Sequence, residues 1–289
     1  MSARAEIAIV GGSGLYAMPG LEQVEEVRVD TPFGAPSDSI QLATLHGRRL
    51  AFLARHGRRH TLLPHEINYR ANIYALKLLG VHSILSASAV GSMKEDIHPR
   101  DLVFPDQFID RTQGREGTFF GDGVAAHVSM ADPVCPALRR ALCAAAEAAG
   151  ARTHDGGTYV CIQGPAFSTR AESEVYRNYG VDVIGMTNIP EARLAREAEI
   201  RYATMALVTD YDCWHEEEGD VTVDSVLENL KANSEMAIRV LSAVVEGFPT
   251  EFDCDSADAL ATALITPVEA IGEEPRRRLK AILGRYLDR

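Results

Sequence analysis

The stretch Met205-Ala206-Leu207-Val208-Thr209-Asp210-Tyr211-Asp212-Cys213-Trp214 runs from an unbroken apolar segment into two carboxylates one residue apart. Apolar residues without alternation suit a strand covered on both faces, as in a parallel sheet between two layers of helices. Such a strand delivers its acids to its own tip, where open α/β sheets bind ligands. Asp210 can accept a hydrogen bond from an amino group while ionised, or donate one to a ring nitrogen while protonated, which suits it to an aminopurine edge. Solvated turn acids are the plainer account of the same two residues, so the other strand tips have to decide.

Similar runs recur at 6–10, 50–54, 83–88, 158–162, 182–186 and 204–208. Between them lie helix-period segments at 64–79, 136–149 with Gly150 as a stop, and 190–198. This alternation is the pattern of an α/β sheet with helices on both faces. A longer helix is expected over 223–245, with Val223, Val226, Leu227, Leu230, Ala237, Val240, Leu241 and Val244 on one stripe, between Thr222 as N-cap and Gly247 as stop. A last helix opens at Pro275 and places Leu279, Ile282, Leu283 and Tyr286 on one face, while Arg276, Arg277, Arg278 and Lys280 read as a solvated face. Residues 251–259 are acidic and aperiodic, a surface connection, so the chain divides into a main domain of 1–248 and a C-terminal extension of 249–289.

The 289 residues carry a formal charge of −12 and 46% hydrophobic side chains. That content supports a sizeable core, and the acidic balance argues against a nucleic-acid or anionic-membrane partner, which needs a basic face. The start MSARAEIAIVGGSG has no long apolar run of the secretory kind, and no segment approaches the ~20 apolar residues of a membrane span. Five cysteines without a C-x-x-C pair read as reduced core thiols. A cytoplasmic protein is the expectation.

The tip Val10-Gly11-Gly12-Ser13-Gly14-Leu15 lets backbone N–H groups and the Ser13 hydroxyl close around an anion. Gly12-x-Gly14-x-x-Ala17 also fits a dinucleotide fingerprint, with Asp30 as its acid, but Pro19 and Gly20 cut off the helix that fingerprint requires. The tip Ala54-Arg55-His56-Gly57 brings cations to an acidic protein, Arg55 as a planar fork for phosphate and His56 as a second donor. His56, His60 and His65 have no acid or cysteine to complete a metal set. Ser86-Ala87-Ser88-Ala89 and Met186-Thr187-Asn188 add hydroxyls and amides at two further tips, the latter just before a helix start. Coincidence at every tip is a weaker account than one shared pocket.

These motifs, in this order, resemble the trimeric purine nucleoside phosphorylase superfamily, and most closely its methylthioadenosine-cleaving members. The likeness runs through Asp30-Thr31-Pro32-Phe33-Gly34, Asp106-Gln107-Phe108-Ile109-Asp110-Arg111-Thr112, Gln163-Gly164-Pro165, Arg170-Ala171-Glu172-Ser173 and Thr209-Asp210-Tyr211-Asp212, and covers about residues 6–245. The resemblance implies a single-domain, mixed but largely parallel sheet, and phosphorolysis of methylthioadenosine to adenine and 5-methylthioribose 1-phosphate, with inorganic phosphate as co-substrate and no metal or organic cofactor. It implies phosphate binding by Ser13, Arg55, His56, Ser88, Ala89 and Thr187. Met186 would lie by the ribose, Phe167 and Ser168 by the base, and Asp210 and Asp212 would face the adenine as the catalytic pair. Val223 and Val226 would line an apolar pocket for the 5′ substituent, though periodicity reads them equally as helix core. His127 would be lent by a neighbouring subunit, which makes the expected assembly a homotrimer. Three departures stand out: Ser13 where threonine is commoner, Ala166 in place of an arginine, and Gly185 where relatives often carry asparagine before the Met-Thr pair. The reading on the same residues that competes most closely is a phosphorylase of 6-oxopurine nucleosides, which an Asn at 210 would have favoured.

Overall fold

The computed structural model describes residues 5–12, 14–15, 18–215 and 223–287, apart from the side chains of 223–228 and 230. Eleven strands form one sheet. They are β1 (Ile7–Gly11), β2 (Glu22–Val27), β3 (Ile40–Leu45), β4 (Arg48–Ala54), β5 (Ser83–Ser92), β6 (Leu102–Phe104), β7 (Gln107–Arg111), β8 (Thr153–Asp155), β9 (Thr158–Ile162), β10 (Val183–Gly185) and β11 (Arg201–Asp210). Pairing is parallel for β1 with β4 and β5, β11 with β5, β9 with β7 and β10, and β6 with β8. It is antiparallel for β3 with β2 and β4, β6 with β11, and β10 with β5. The sheet is therefore mixed and largely parallel, as the resemblance implied.

β5 organises the site. Its first residues pair with β1, ending at Ser86 opposite Val10, and β10 joins only at Gly91. Ala87 to Val90 in between pair with β11 alone. Ala89 is the one exposed residue of an otherwise buried strand, and it opens onto the cavity described below.

The unalternating apolar runs are explained by burial on both faces. Ala8, Val10, Ala51 and Leu53 face helices α1 (Tyr69–Leu78), α4 (Asn188–Glu197) and α7 (Lys280–Leu287). Ile7, Ile9, Leu50 and Phe52 face α2 (Pro136–Ala148) and α5 (Val223–Glu246). A smaller cluster, including Val160, Tyr176 and Ile184, backs α3 (Arg170–Asn178).

Several elements differ from the sequence reading. α1 starts at Tyr69 rather than Pro64, because the Asn68 side chain caps the Ala71 N–H at 3.1 Å. Residues 62–64 are thereby released to line the cavity. The last helix is two, α6 (Glu273–Arg278) and α7, and Pro275 sits within the first turn of α6 instead of opening it. Its basic residues are not all solvated: Arg276 donates to the carbonyls of Ile271 and Val268, and Arg278 to Asp122 and Gly121. The 251–259 connection is anchored through Ser256, which is buried and accepts from Arg196. α5 runs to Glu246, one residue past the expected end, and Gly247 follows it as the expected stop; Thr222, its expected cap, lies outside the described residues.

Candidate active site

A cavity of about 510 Å³ lies where β5 lacks β1 and β10, walled by the tips of β4 and β11 and the end of β10. It gathers Arg55, His56, Ser88, Ala89, Phe167, Met186, Thr187, Asp210 and Asp212. Gly12 and Gly14 line it as well, while Ser13 between them lies outside the described residues.

At the anion end, Arg55 is 2% exposed and its fork is already engaged. Nε donates to Glu191 Oε2 at 2.6 Å and Nη2 to Oε1 at 2.8 Å, with Ser86 Oγ also 2.8 Å from Nη2. Burial opposes the guanidinium charge, and the Glu191 carboxylate more than offsets it, so Arg55 stays protonated. Two nitrogens of the fork expected to match phosphate are thus held by Glu191. Among the described residues Nη1 meets only the Ala87 carbonyl, at 3.2 Å. That same contact fixes the polarity of β5: Ala87 C=O points toward β4, and strand alternation puts the Ala89 N–H on the same edge.

His56 also differs from its expected part. Nδ1 lies 2.8 Å from the Leu62 carbonyl, so it carries the proton and donates. Burial, despite that hydrogen bond, pushes the imidazole down to about 4. The ring is neutral at neutral pH and its Nε2 is an acceptor, so it offers an oxyanion no side-chain proton. The ring of His60 stacks on it at 4.4 Å. Among the described residues no group of three His, Cys, Asp or Glu side chains converges as a metal site. Thr187 precedes α4 without capping it, which leaves its hydroxyl on the cavity wall.

At the other end, Asp210 accepts from the Thr209 hydroxyl at 2.6 Å and from the Asp212 N–H at 2.9 Å. Burial raises its carboxyl above the ordinary range, against the pull of those two donors. Burial raises Asp212 too; the Ser173 hydroxyl opposes it and the Asp210 charge adds to it. The Asp212 N–H pulls Asp210 the other way, so burial is what lifts it. The close seat depends on Gly91, where a Cβ would stand 2.8 Å from Asp210 Oδ1 and 3.2 Å from the Asp212 N. Two amides of α5 hold the strand tip: Asn229 donates to the Thr209 carbonyl and Asn233 to that of Val208, each at 2.8 Å.

Ser168 and His127 lie off the cavity. The Ser168 hydroxyl approaches Asp212 and does not line the wall. His127 is exposed, on a loop held by the C-terminal segment through its N–H to the Ala263 carbonyl at 2.8 Å and the Ala126–Leu264 bridge. Val223 and Val226 fall in α5, with side chains outside the described residues.

Sequence reasoning passed over Glu191, Gly91, Asn229, Asn233 and Arg115. Arg115 ties the β9 exit to the β10 exit, donating to the carbonyls of Gln163 and Met186 at 2.7 Å and of Ile189 at 2.9 Å. Glu191 had a signal: an acid inside the apolar Ile189-Pro190-Glu191-Ala192 run needs a buried cation. α3 had one too, the Thr169–Glu172 capping box. An arginine in a glycine-bearing loop has none.

Known proteins resemble this chain in sequence and fold. Residues 6–246 match the model of the phosphorylase superfamily. The chain is 57% identical to an S-methyl-5′-thioadenosine phosphorylase of Geobacter sulfurreducens over 97% of this chain and 99% of that protein. It is 54% identical to one of Koribacter versatilis, over 98% and 97%. A solved methylthioadenosine phosphorylase from an Antarctic soil metagenomic library superposes with a TM-score of 0.92 at 52% identity, covering 98% of this chain and all of that one. A Schistosoma mansoni methylthioadenosine phosphorylase solved with adenine gives 0.83 at 37% identity, over 89% and 96%.

Proposed function

Because the chain belongs to the phosphorylase superfamily, we propose that its cavity cleaves S-methyl-5′-thioadenosine with inorganic phosphate, yielding adenine and 5-methylthioribose 1-phosphate for purine and methionine salvage. The observation that carries this reading is the polarity of one cavity: hydroxyls, amides and an arginine at one end, carboxyls raised by burial at the other.

Phosphate is held by the hydroxyls of Ser13, Ser88 and Thr187, the Ala89 and His56 N–H groups, and Arg55 Nη1. A phosphate oxygen attacks the ribosyl C1′ as the bond to the purine N9 breaks. Negative charge gathers on the leaving base, and Asp210, which burial biases toward its protonated form, supplies a proton at N7; the hydrogen phosphate proton replaces it through solvent. The bound phosphate stabilises the cationic sugar. Asp212 holds the Asp210 carboxyl through its N–H and faces the amino group. A protonated carboxyl donates to N7 and accepts from the amino group of adenine, whereas a 6-oxopurine presents two acceptors on that edge. Met186 packs by the ribose, Phe167 and Ser168 by the base, and Val223 and Val226 by the methylthio group.

The reaction draws on no metal or organic cofactor. His127 reaches a neighbouring subunit's cavity in a homotrimer, and residues 249–289 form an extension on the 1–248 catalytic domain that steadies its loop. Among the described residues no helix is long and apolar enough to cross a membrane; we place the enzyme in the cytoplasm, without nucleic-acid or membrane partners. Adenine release from methylthioadenosine, measured with and without phosphate and beside methylthioinosine and inosine, tests the reading. Phosphate-dependent release confined to the aminopurine is expected. Release without phosphate means a hydrolase, and turnover of oxopurines alone refutes the part given to Asp210.

A further inference from the structure

Tyr159 is fully buried on β9, and its hydroxyl makes no hydrogen bond of sound geometry among the described residues. The hydroxyl sits behind Gly185: a Cβ there would lie 2.0 Å from the phenolic oxygen and 2.6 Å from the ring carbon that bears it. No side chain of any kind fits position 185 while the phenol is in place. The phenol fills the space that a side chain at 185 would take.

The position of that oxygen is informative. Ser88 Oγ, on the cavity wall, is likewise buried without a partner among the described residues. Burial raises the phenol well above its ordinary range, and among the groups that pull it back are the Ser88 hydroxyl and the Thr187 N–H. Two residues from different strand tips, both assigned to the anion end, therefore meet one phenol. A buried phenolic hydroxyl is costly to leave unsatisfied, so a small rotation of the Ser88 and Tyr159 hydroxyls into a chain is favourable.

We infer that Tyr159 is a positioning residue for phosphate: its hydroxyl accepts from the Thr187 N–H and donates to Ser88 Oγ, which turns the Ser88 proton into the cavity toward a phosphate oxygen. Tyr159 touches no reacting atom. It sets the direction of one donor and the distance between β5 and the start of α4. The ring, edge-on to Phe108 at 5.8 Å, is held by packing that does not need the hydroxyl.

The inference rests on the phosphorolytic reading, and its test separates the two. Steady-state kinetics with phosphate and methylthioadenosine varied independently are compared for the unsubstituted enzyme, Tyr159→Phe, Ser88→Ala and the double variant. Tyr159→Phe keeps the ring and should raise the KM for phosphate about three- to tenfold, the loss of one oriented hydrogen bond. The KM for the nucleoside should stay within twofold. Adding Tyr159→Phe to Ser88→Ala should cost little more, because the phenol acts through that hydroxyl. An unchanged phosphate KM in Tyr159→Phe, an equal rise in both KM values, or full additivity with Ser88→Ala would each overturn the inference and leave the proposed reaction standing. Phosphate-independent turnover by the unsubstituted enzyme would overturn both.

Discussion

The two ends of the cavity are built on opposite principles. The anion end is part of the fold: Arg55 is locked to Glu191 in a pair in which each side chain is 2% exposed, with Ser86 and Tyr202 completing the hydrogen bonds. The purine end is a turn laid on a strand tip, where Asp210 has two donors and, among the described residues, no cation. One end holds a charge that was neutralised when the chain folded; the other holds acids that burial inclines to keep their protons. The first end therefore contributes to stability, while the acids of the second are kept at its expense.

The sharpest way to break this contrast is Glu191→Ala. Removing the partner leaves a buried guanidinium uncompensated, which costs about 3–5 kcal/mol. Chemical denaturation should show that loss, and phosphate-dependent turnover should fall with it. A variant as stable as the parent would mean that Arg55 does not depend on Glu191.

Asp210→Asn should do the reverse. Turnover of methylthioadenosine should drop by about 10²–10⁴ as the proton donor is lost, and relative use of 6-oxopurine nucleosides should improve. Stability should hold or rise, because a carboxyl with a raised folded pKa contributes stability below its unfolded value that is lost as pH increases. An unchanged substrate preference would remove Asp210 from the specificity argument.

The smallest effect lies in the acid limb. His56 has its pKa depressed from 6.5 to about 4, so the stability it contributes is present above about 6.5 and lost as pH falls toward 4. Protonation at the purine end runs the opposite way over its own range. Thermal melts from pH 7 to 4 should fall less steeply in His56→Gln than in the parent; parallel curves would show that the ring is not neutral in the folded protein.

Much of this was legible in the sequence where burial leaves a periodic trace. Strands β1, β4, β5, β9, β10 and β11 were visible because both faces are covered, and α2 because a proline opens it and Gly150 follows it. β2 and β7 were not, since Glu22–Val27 is charged and exposed and Gln107–Arg111 is mostly polar. Among site residues, those at strand tips stood out by position: Arg55, Ser88, Thr187 and Asp210 all reach the cavity. What they bond to did not, because a partner 136 positions away, as Glu191 is from Arg55, leaves no local pattern. Nor does a single sequence say that the neighbour of a cavity acid must be glycine, as Gly91 is for Asp210.

β5 carries Ala89 at the anion end and Gly91 beneath Asp210, two residues and about 7 Å of extended chain apart. That interval works as a gauge block, because bond lengths and angles set it and the packing of the helices does not. Either jaw can loosen on warming or on substitution of its supports while the gap between them keeps its calibration. A sugar longer or shorter than the gauge meets only one jaw at a time, however tightly that jaw holds it.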